Sequence, residues 1–218
     1  TDGLAYGGAP VAEPVEATRQ STGLDALIDN RIMATAERDL LNFILTYGTT
    51  KLEFQSDSAF YSGSDEDALT VFDFIGQALE GDNSQFANSV FRKVYEAYSK
   101  DYYEGYSQDE IVKRLMDGED RDMAYVAAQL STDERYDLSV KNLRQSMMSK
   151  GSWLTIYVPK AILVYQQSRL EDKENELKER LGEAQTASDD DRVLEIMQEM
   201  IKVQKALKMV KVRLGREK

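Results

Sequence analysis

The stretch Ser188-Asp189-Asp190-Asp191-Arg192-Val193-Leu194-Glu195-Ile196, continued to Leu214, decides how the rest of the chain is read. Its apolar residues Val193, Ile196, Met200, Val203, Leu207, Val210 and Leu214 follow one another at spacings of 3, 4, 3, 4, 3 and 4. That is an unbroken heptad seam, the signature of a long helix that buries one stripe against a neighbour. Ser188 is placed to cap this helix, and Asp189, Asp190 and Asp191 fill its first turn, where the helix dipole favours anions. Upstream, Ile156, Leu163, Leu170, Leu177 and Ala184 fall seven apart. Pro159 suits the first turn of the helix that carries them. The polar break at Thr186-Ala187-Ser188 then joins two long amphipathic helices into an antiparallel hairpin over about 153–218, projecting from whatever precedes it.

Working back towards the N-terminus, the helical period persists in shorter pieces. Thr35 can cap a helix over 35–47 with the stripe Leu40, Leu41, Ile44 and Leu45, stopped at Tyr47-Gly48. Ser64 is expected to cap a second, with Asp65, Glu66 and Asp67 in its first turn and Leu69, Phe72, Ile75 and Leu79 inside. A third, from about Ser84, carries Phe86, Val90, Val94 and Ala97. The fourth runs from Ser107 to Gly118, the fifth over about 119–130, and a sixth over 136–150 through Leu138, Val140, Leu143 and Met147. Short helices linked by polar turns predict a compact bundle over 35–152. Residues 1–34 hold Pro10, Pro14 and four glycines and read as a linker, although Leu24, Leu27, Ile28 and Ile32 can dock on the bundle. The fold class expected is all-α: a multi-helix bundle, a long helix and a terminal helical hairpin.

Composition narrows the chemistry. The 218 residues contain neither cysteine nor histidine. Disulfides, zinc fingers, thiol nucleophiles, Ser-His-Asp triads and His-bound metals are thereby excluded. No G-x-x-x-x-G-K-[ST], G-x-G-x-x-G or G-x-S-x-G motif occurs, so phosphate cradles and nucleophile elbows have no support. No apolar stretch approaches the roughly 18 residues that predict a membrane-spanning helix. Without a basic leader followed by an apolar core, the expected compartment is the cytoplasm. Thr1 in place of Met suggests a processed chain or an excised fragment.

Charge is unevenly spread. Residues 1–168 carry 15 basic and 27 acidic side chains, residues 169–187 carry 4 and 6, and residues 188–218 carry 8 and 6. An acidic body repels a polyanion, so direct nucleic-acid binding is not expected of it. The D-x-D pairs Asp65/Asp67 and Asp120/Asp122 read as helix-start charges, since residues two apart in a helix point to different sides and the EF-hand pattern is missing. The row Phe91, Tyr95, Tyr98 and Tyr102 lies on one helical face and reads as core. No catalytic residue, cofactor or metal is implied. What remains is the last helix, where Lys202, Lys205, Lys208, Lys211 and Arg213 rim a seam longer than closing the hairpin needs. Lys205, Lys208, Val212, Arg213, Leu214 and Arg216 are therefore the candidate partner-binding residues.

The order of parts resembles the C-terminal helicase-binding domain of bacterial DNA primase. Glu37-Arg38-Asp39-Leu40-Leu41 with Tyr47-Gly48 is similar to the opening helix of that domain. Val158-Pro159-Lys160-Ala161-Ile162-Leu163-Val164-Tyr165 and Ile196-Met197-Gln198-Glu199-Met200 are similar to its connecting and last helices. The resemblance spans about 35–218 and rests on helical pattern and order. It implies a non-catalytic fragment that begins in the linker after a missing zinc module and polymerase core. The bundle would then stimulate the replicative helicase, and the hairpin would attach to the helicase's N-terminal collar, with the chain a monomer or weak dimer. Two other readings stand beside it within interaction proteins: a self-associating adaptor using the Val193–Leu214 seam, and the related N-terminal domain of a replicative helicase. A carboxylate-based metal enzyme is the rival from another class.

Overall fold

Residues 23–61, 63–64, 67–131 and 150–216 are described by a computed structural model, and all that follows concerns them. A 3-10 turn at Gly23–Leu27 leads into α1 (Arg31–Tyr47), α2 (Val71–Gly81), α3 (Ser89–Tyr103), α4 (Gln108–Met116) and α5 (Arg121–Ser131). The long α6 (Lys150–Thr186) and α7 (Asp190–Arg213) complete the fold. Among the described residues there is no strand, only one isolated bridge between Lys51 and Thr70. The all-α expectation holds, with a bundle, a long helix and a terminal hairpin. The helix expected over 136–150 falls almost wholly outside the described residues.

Five local signals were assigned to the wrong residue, each for a readable reason. The first helix begins at Arg31, not Thr35, because Asn30 accepts the backbone N–H groups of Ile32 and Met33. The expected linker boundary at 34 moves accordingly, and Leu24, Leu27 and Ile28 pack on the bundle core. α2 begins at Val71 rather than after Ser64. Leu52 is buried and its N–H donates to Leu69 O at 2.8 Å, while Val71 N–H donates to Thr50 O at 2.9 Å, which keeps the backbone extended up to Thr70. Thr70 then takes the cap, accepting from Asp73 N–H at 3.1 Å. α3 starts at Ser89 with Asn88 at its cap, leaving Phe86 as a buried loop residue. Pro159 lies well inside α6, and Asp189, not Ser188, caps α7 by accepting from Arg192 N–H at 3.1 Å. Ser188 instead makes the turn, with φ of +54°.

α1 is the spine of the bundle: Leu40, Leu41, Ile44 and Leu45 are buried against the other helices. At its end Gly48 is required by proximity, since a Cβ there would lie 2.1 Å from Tyr98 Oη and 2.5 Å from Ile44 O. Its φ of −52° is ordinary, so the glycine is not a left-handed stop. Gln108 closes the same end, donating to Ile44 O and Leu45 O and accepting from Tyr98 Oη and Thr49 N–H. The aromatic row is core as expected: Phe91 and Tyr98 are fully buried, and Phe72 packs on Tyr95, Tyr98 and Tyr102.

α6 belongs to both halves of the molecule. Trp153, Leu154, Val158, Ile162 and Tyr165 lie in the bundle core, so the expected boundary at 153 moves down the helix by about three turns. Leu170, Leu177, Leu181 and Ala184 form a second core with Val193, Ile196, Met200 and Val203 of α7. The seven-residue seam read from sequence does not run through: Ile156 is exposed, because at that level a different face of the helix meets the bundle.

Candidate protein interface on the terminal hairpin

The hairpin is closed by apolar and charged contacts along a single seam. Ile196, Val203, Leu207 and Val210 are buried, and Val193, Met200 and Leu214 are half-buried beside them. Flanking the seam, Lys173 pairs with Glu199 at 3.5 Å, Arg180 with Glu199 at 3.8 Å and Arg192 with Glu183 at 3.9 Å. Gln204 donates to Glu174 at 3.1 Å, which holds that carboxyl below its ordinary range, helped by Lys178 and, at longer range, Lys211. All seven seam residues are thus at least partly covered within one chain. The expectation of spare seam left over for a partner is corrected: α6 runs alongside it for its full length.

The uncovered apolar surface lies on the opposite side of α7. At 100° per residue, the positions 194, 197, 201, 205, 208 and 212 share one stripe centred about half a turn from Ile196, Val203 and Val210. Leu194 is 58% exposed, Met197 50%, Ile201 51% and Val212 46%, with Met209 at the stripe's edge 69% exposed. A helix apolar on two opposite faces is built to be buried on both. Singly exposed apolar residues are ordinary, whereas here Leu194, Met197 and Ile201 follow one another along one exposed stripe.

Of the six residues singled out in the sequence, Lys205, Lys208 and Val212 fall on this outer stripe. Among the described residues neither lysine has an ion-pair partner, unlike Lys173, Arg180 and Arg192 beside the seam. Arg213 is exposed on the flank. Arg216 is exposed and reaches back to donate to Gln167 on α6. Leu214 does not belong to the outer surface, since it completes the seam as its seventh member. Sequence reasoning missed Leu194, Met197, Ile201 and Met209. The signal was available as a second apolar series with steps of 3 and 4 offset from the first, hidden because a single seam already accounted for the helix.

The hairpin's direction is fixed where it leaves the bundle. Glu37 on α1 is fully buried and its carboxylate accepts from Ala87 N–H, Asn88 N–H at 3.1 Å and Asn88 Nδ2 at 2.7 Å, capping the start of α3. Burial raises its pKa above the ordinary carboxylate value, against the pull of those hydrogen bonds and of Arg92. Asn88 Oδ1 accepts from Asn30 N–H at 2.7 Å, and Asn30 Nδ2 donates to Asp172 on α6 at 2.8 Å. Tyr165 Oη donates to Gln85 O at 2.9 Å, and Gln166 Nε2 to Asp82 at 2.7 Å. A cleft of about 490 Å³ sits in this joint, lined by Asp82, Arg169, Leu170, Ala206 and Val210 among others.

Asp120 and Asp122 do not assemble a centre with other described residues. Asp120 caps α5 through Asp122 N–H and Met123 N–H and pairs with Lys93 at 3.1 Å, contacts that lower its pKa. Asp65 lies outside the described residues. No group of acidic side chains among the described residues is arranged to hold a metal ion, and no helix among them is long and apolar enough to cross a membrane.

Fold and surface together define a class, an all-helical chain in which a multi-helix bundle carries a projecting hairpin with an apolar outer face. The chain belongs to the family described as a domain of unknown function (DUF8430), which matches residues 25–217. Comparison with curated proteins finds no match, and comparison with solved structures finds none.

Proposed function

We propose that this chain is a non-catalytic protein–protein interaction domain whose hairpin docks a larger assembly. In its specific form, the partner is the N-terminal collar of a replicative DNA helicase and the chain belongs to a primase, coupling primer synthesis to the fork. The observation that carries the docking reading is the outer face of α7, where Leu194, Met197, Ile201 and Val212 stand uncovered on a helix whose other face is already buried. The order of bundle, shared helix and hairpin supports the specific form, by its likeness to the primase domain set out above. Burial of the Val193–Leu214 seam inside one chain counts against the self-associating adaptor, which needed that seam.

The test is capture of the helicase collar by the chain ended after Ala187. Loss of capture, with the Trp153 emission of the bundle retained, is the expected result. Retained capture sinks the reading. A stable homo-oligomer in sedimentation equilibrium would favour the adaptor instead.

A further inference from the structure

The outer face of α7 changes character along its length, and that change selects what can cover it. Leu194, Met197 and Ile201 make its first half apolar. Lys205 and Lys208, one helical turn apart and about 4.5 Å along the axis, make the next stretch cationic, and Val212 ends it. The two lysines stand in the apolar line itself, not beside it, so a wholly apolar occupant would strand them against grease. A second copy of the same helix offers the two lysines no carboxylate. Antiparallel pairing about the middle of the face sets Lys205 and Lys208 against Ile201 and Gln198 of the other copy, and parallel pairing sets the lysines directly opposite one another. A nucleic-acid strand fits no better, because half of the face offers it only apolar side chains and Asp190, Asp191 and Glu195 lie on the same half of the helix.

We propose that this face takes an amphipathic helix of a partner protein whose apolar stripe covers Leu194, Met197 and Ile201 and whose following turn presents two carboxylates to Lys205 and Lys208. The inference rests on the docking reading of the hairpin but not on the partner's identity. The apolar half supplies most of the affinity, and the lysines set direction and register.

The experiment titrates the full chain against a fluorescein-labelled synthetic helix carrying leucines on one stripe followed by two glutamates one turn apart. Saturable anisotropy is expected. The double variant Lys205→Glu/Lys208→Glu should weaken it about tenfold, and a peptide with both glutamates changed to lysine should restore binding to that variant. Unchanged Trp153 emission keeps these surface variants comparable. Indifference to charge reversal overturns the proposal, as does competition by a single-stranded oligonucleotide at the same two lysines, or a dimer of the chain abolished by Ile201→Ser. If the peptide binds as described and the helicase collar does not, only the helicase assignment falls. If the collar binds regardless of Lys205 and Lys208 and the peptide does not bind, only this inference falls.

Discussion

The two ends of α6 face different amounts of protein. Around residues 153–165 the helix is wedged among several others, with Trp153 edge-on to Tyr47 at 5.2 Å and tilted against Phe43 at 6.1 Å. Around residues 175–184 the same helix packs on α7, and six of these ten residues are exposed. A single continuous helix therefore links a densely packed body to an arm held by one seam. Apolar burial is the dominant stabilising term, so the arm is expected to open locally well before the body unfolds. That asymmetry suits a projecting element that must offer surface instead of burying it.

Core truncations sharpen the contrast most strongly. Phe91→Ala in the body removes a fully buried ring and should cost about 3–5 kcal/mol of global stability, read as an earlier urea midpoint of the Trp153 emission. Ile196→Ala in the arm removes a side chain 1% exposed and should cost about 2–4 kcal/mol, but locally. Amide exchange of α7 should accelerate while the Trp153 midpoint barely moves. If both variants shift the Trp153 transition together, body and arm are one cooperative unit and the comparison fails.

Next in size is Gly48→Ala. The added methyl meets Tyr98 Oη at 2.1 Å, and Tyr98 cannot yield without leaving Gln108, to which its hydroxyl donates at 2.7 Å. A loss of about 1–3 kcal/mol is expected by overpacking. Tyr98→Phe combined with Gly48→Ala should recover part of it, which a purely conformational role for the glycine would not allow.

These examples mark what the sequence could disclose. Helical periods and the seam were legible because each depends on residues close in the chain. The reason for Gly48 was not, since it lies in Tyr98 and Gln108, far along the chain. The Thr70 cap escaped for a similar cause: Leu52 and Leu69 pin the preceding backbone across a loop. Glu37 was noticed only as part of a motif, because nothing local tells that its carboxylate is buried under the start of α3. At the candidate interface, three of the six chosen residues fall on the outer stripe. Leu214 faces inward because the hairpin closes farther along its seam than composition could decide.

Glu37 offers a pH test of the joint between body and arm. Its folded pKa lies above its unfolded value through burial, so the protonated form is favoured in the fold. Its stabilising contribution is fully present below the unfolded value, near 4.3, and fades as pH rises through the higher folded value. Exposed Asp29, Glu110 and Asp120 have lowered values and act in the opposite sense, losing their contribution as pH falls. Melting the parent and Glu37→Gln side by side isolates the buried group. Relative to the variant, the parent should gain stability as the pH falls from 7 to 4. A parent that instead loses ground would mean that the capping hydrogen bonds outweigh burial.

The smallest effect expected on stability is also the most telling, because it sets the two faces of α7 against each other with the same substitution. Ile201 and Ile196 sit five residues apart, the first 51% exposed on the outer stripe and the second 1% exposed in the seam. Ile201→Ala should change the thermal midpoint and the exchange rates of α7 hardly at all, within about 0.5 kcal/mol as for other surface positions. The same truncation at Ile196 should open the arm. Since Ile201 contributes nothing to the hairpin's own closure, any binding energy that disappears with it belongs to a partner. A cost at Ile201 comparable to that at Ile196 would show that the outer face is already covered within the chain, and the arm would then have no free apolar side to offer.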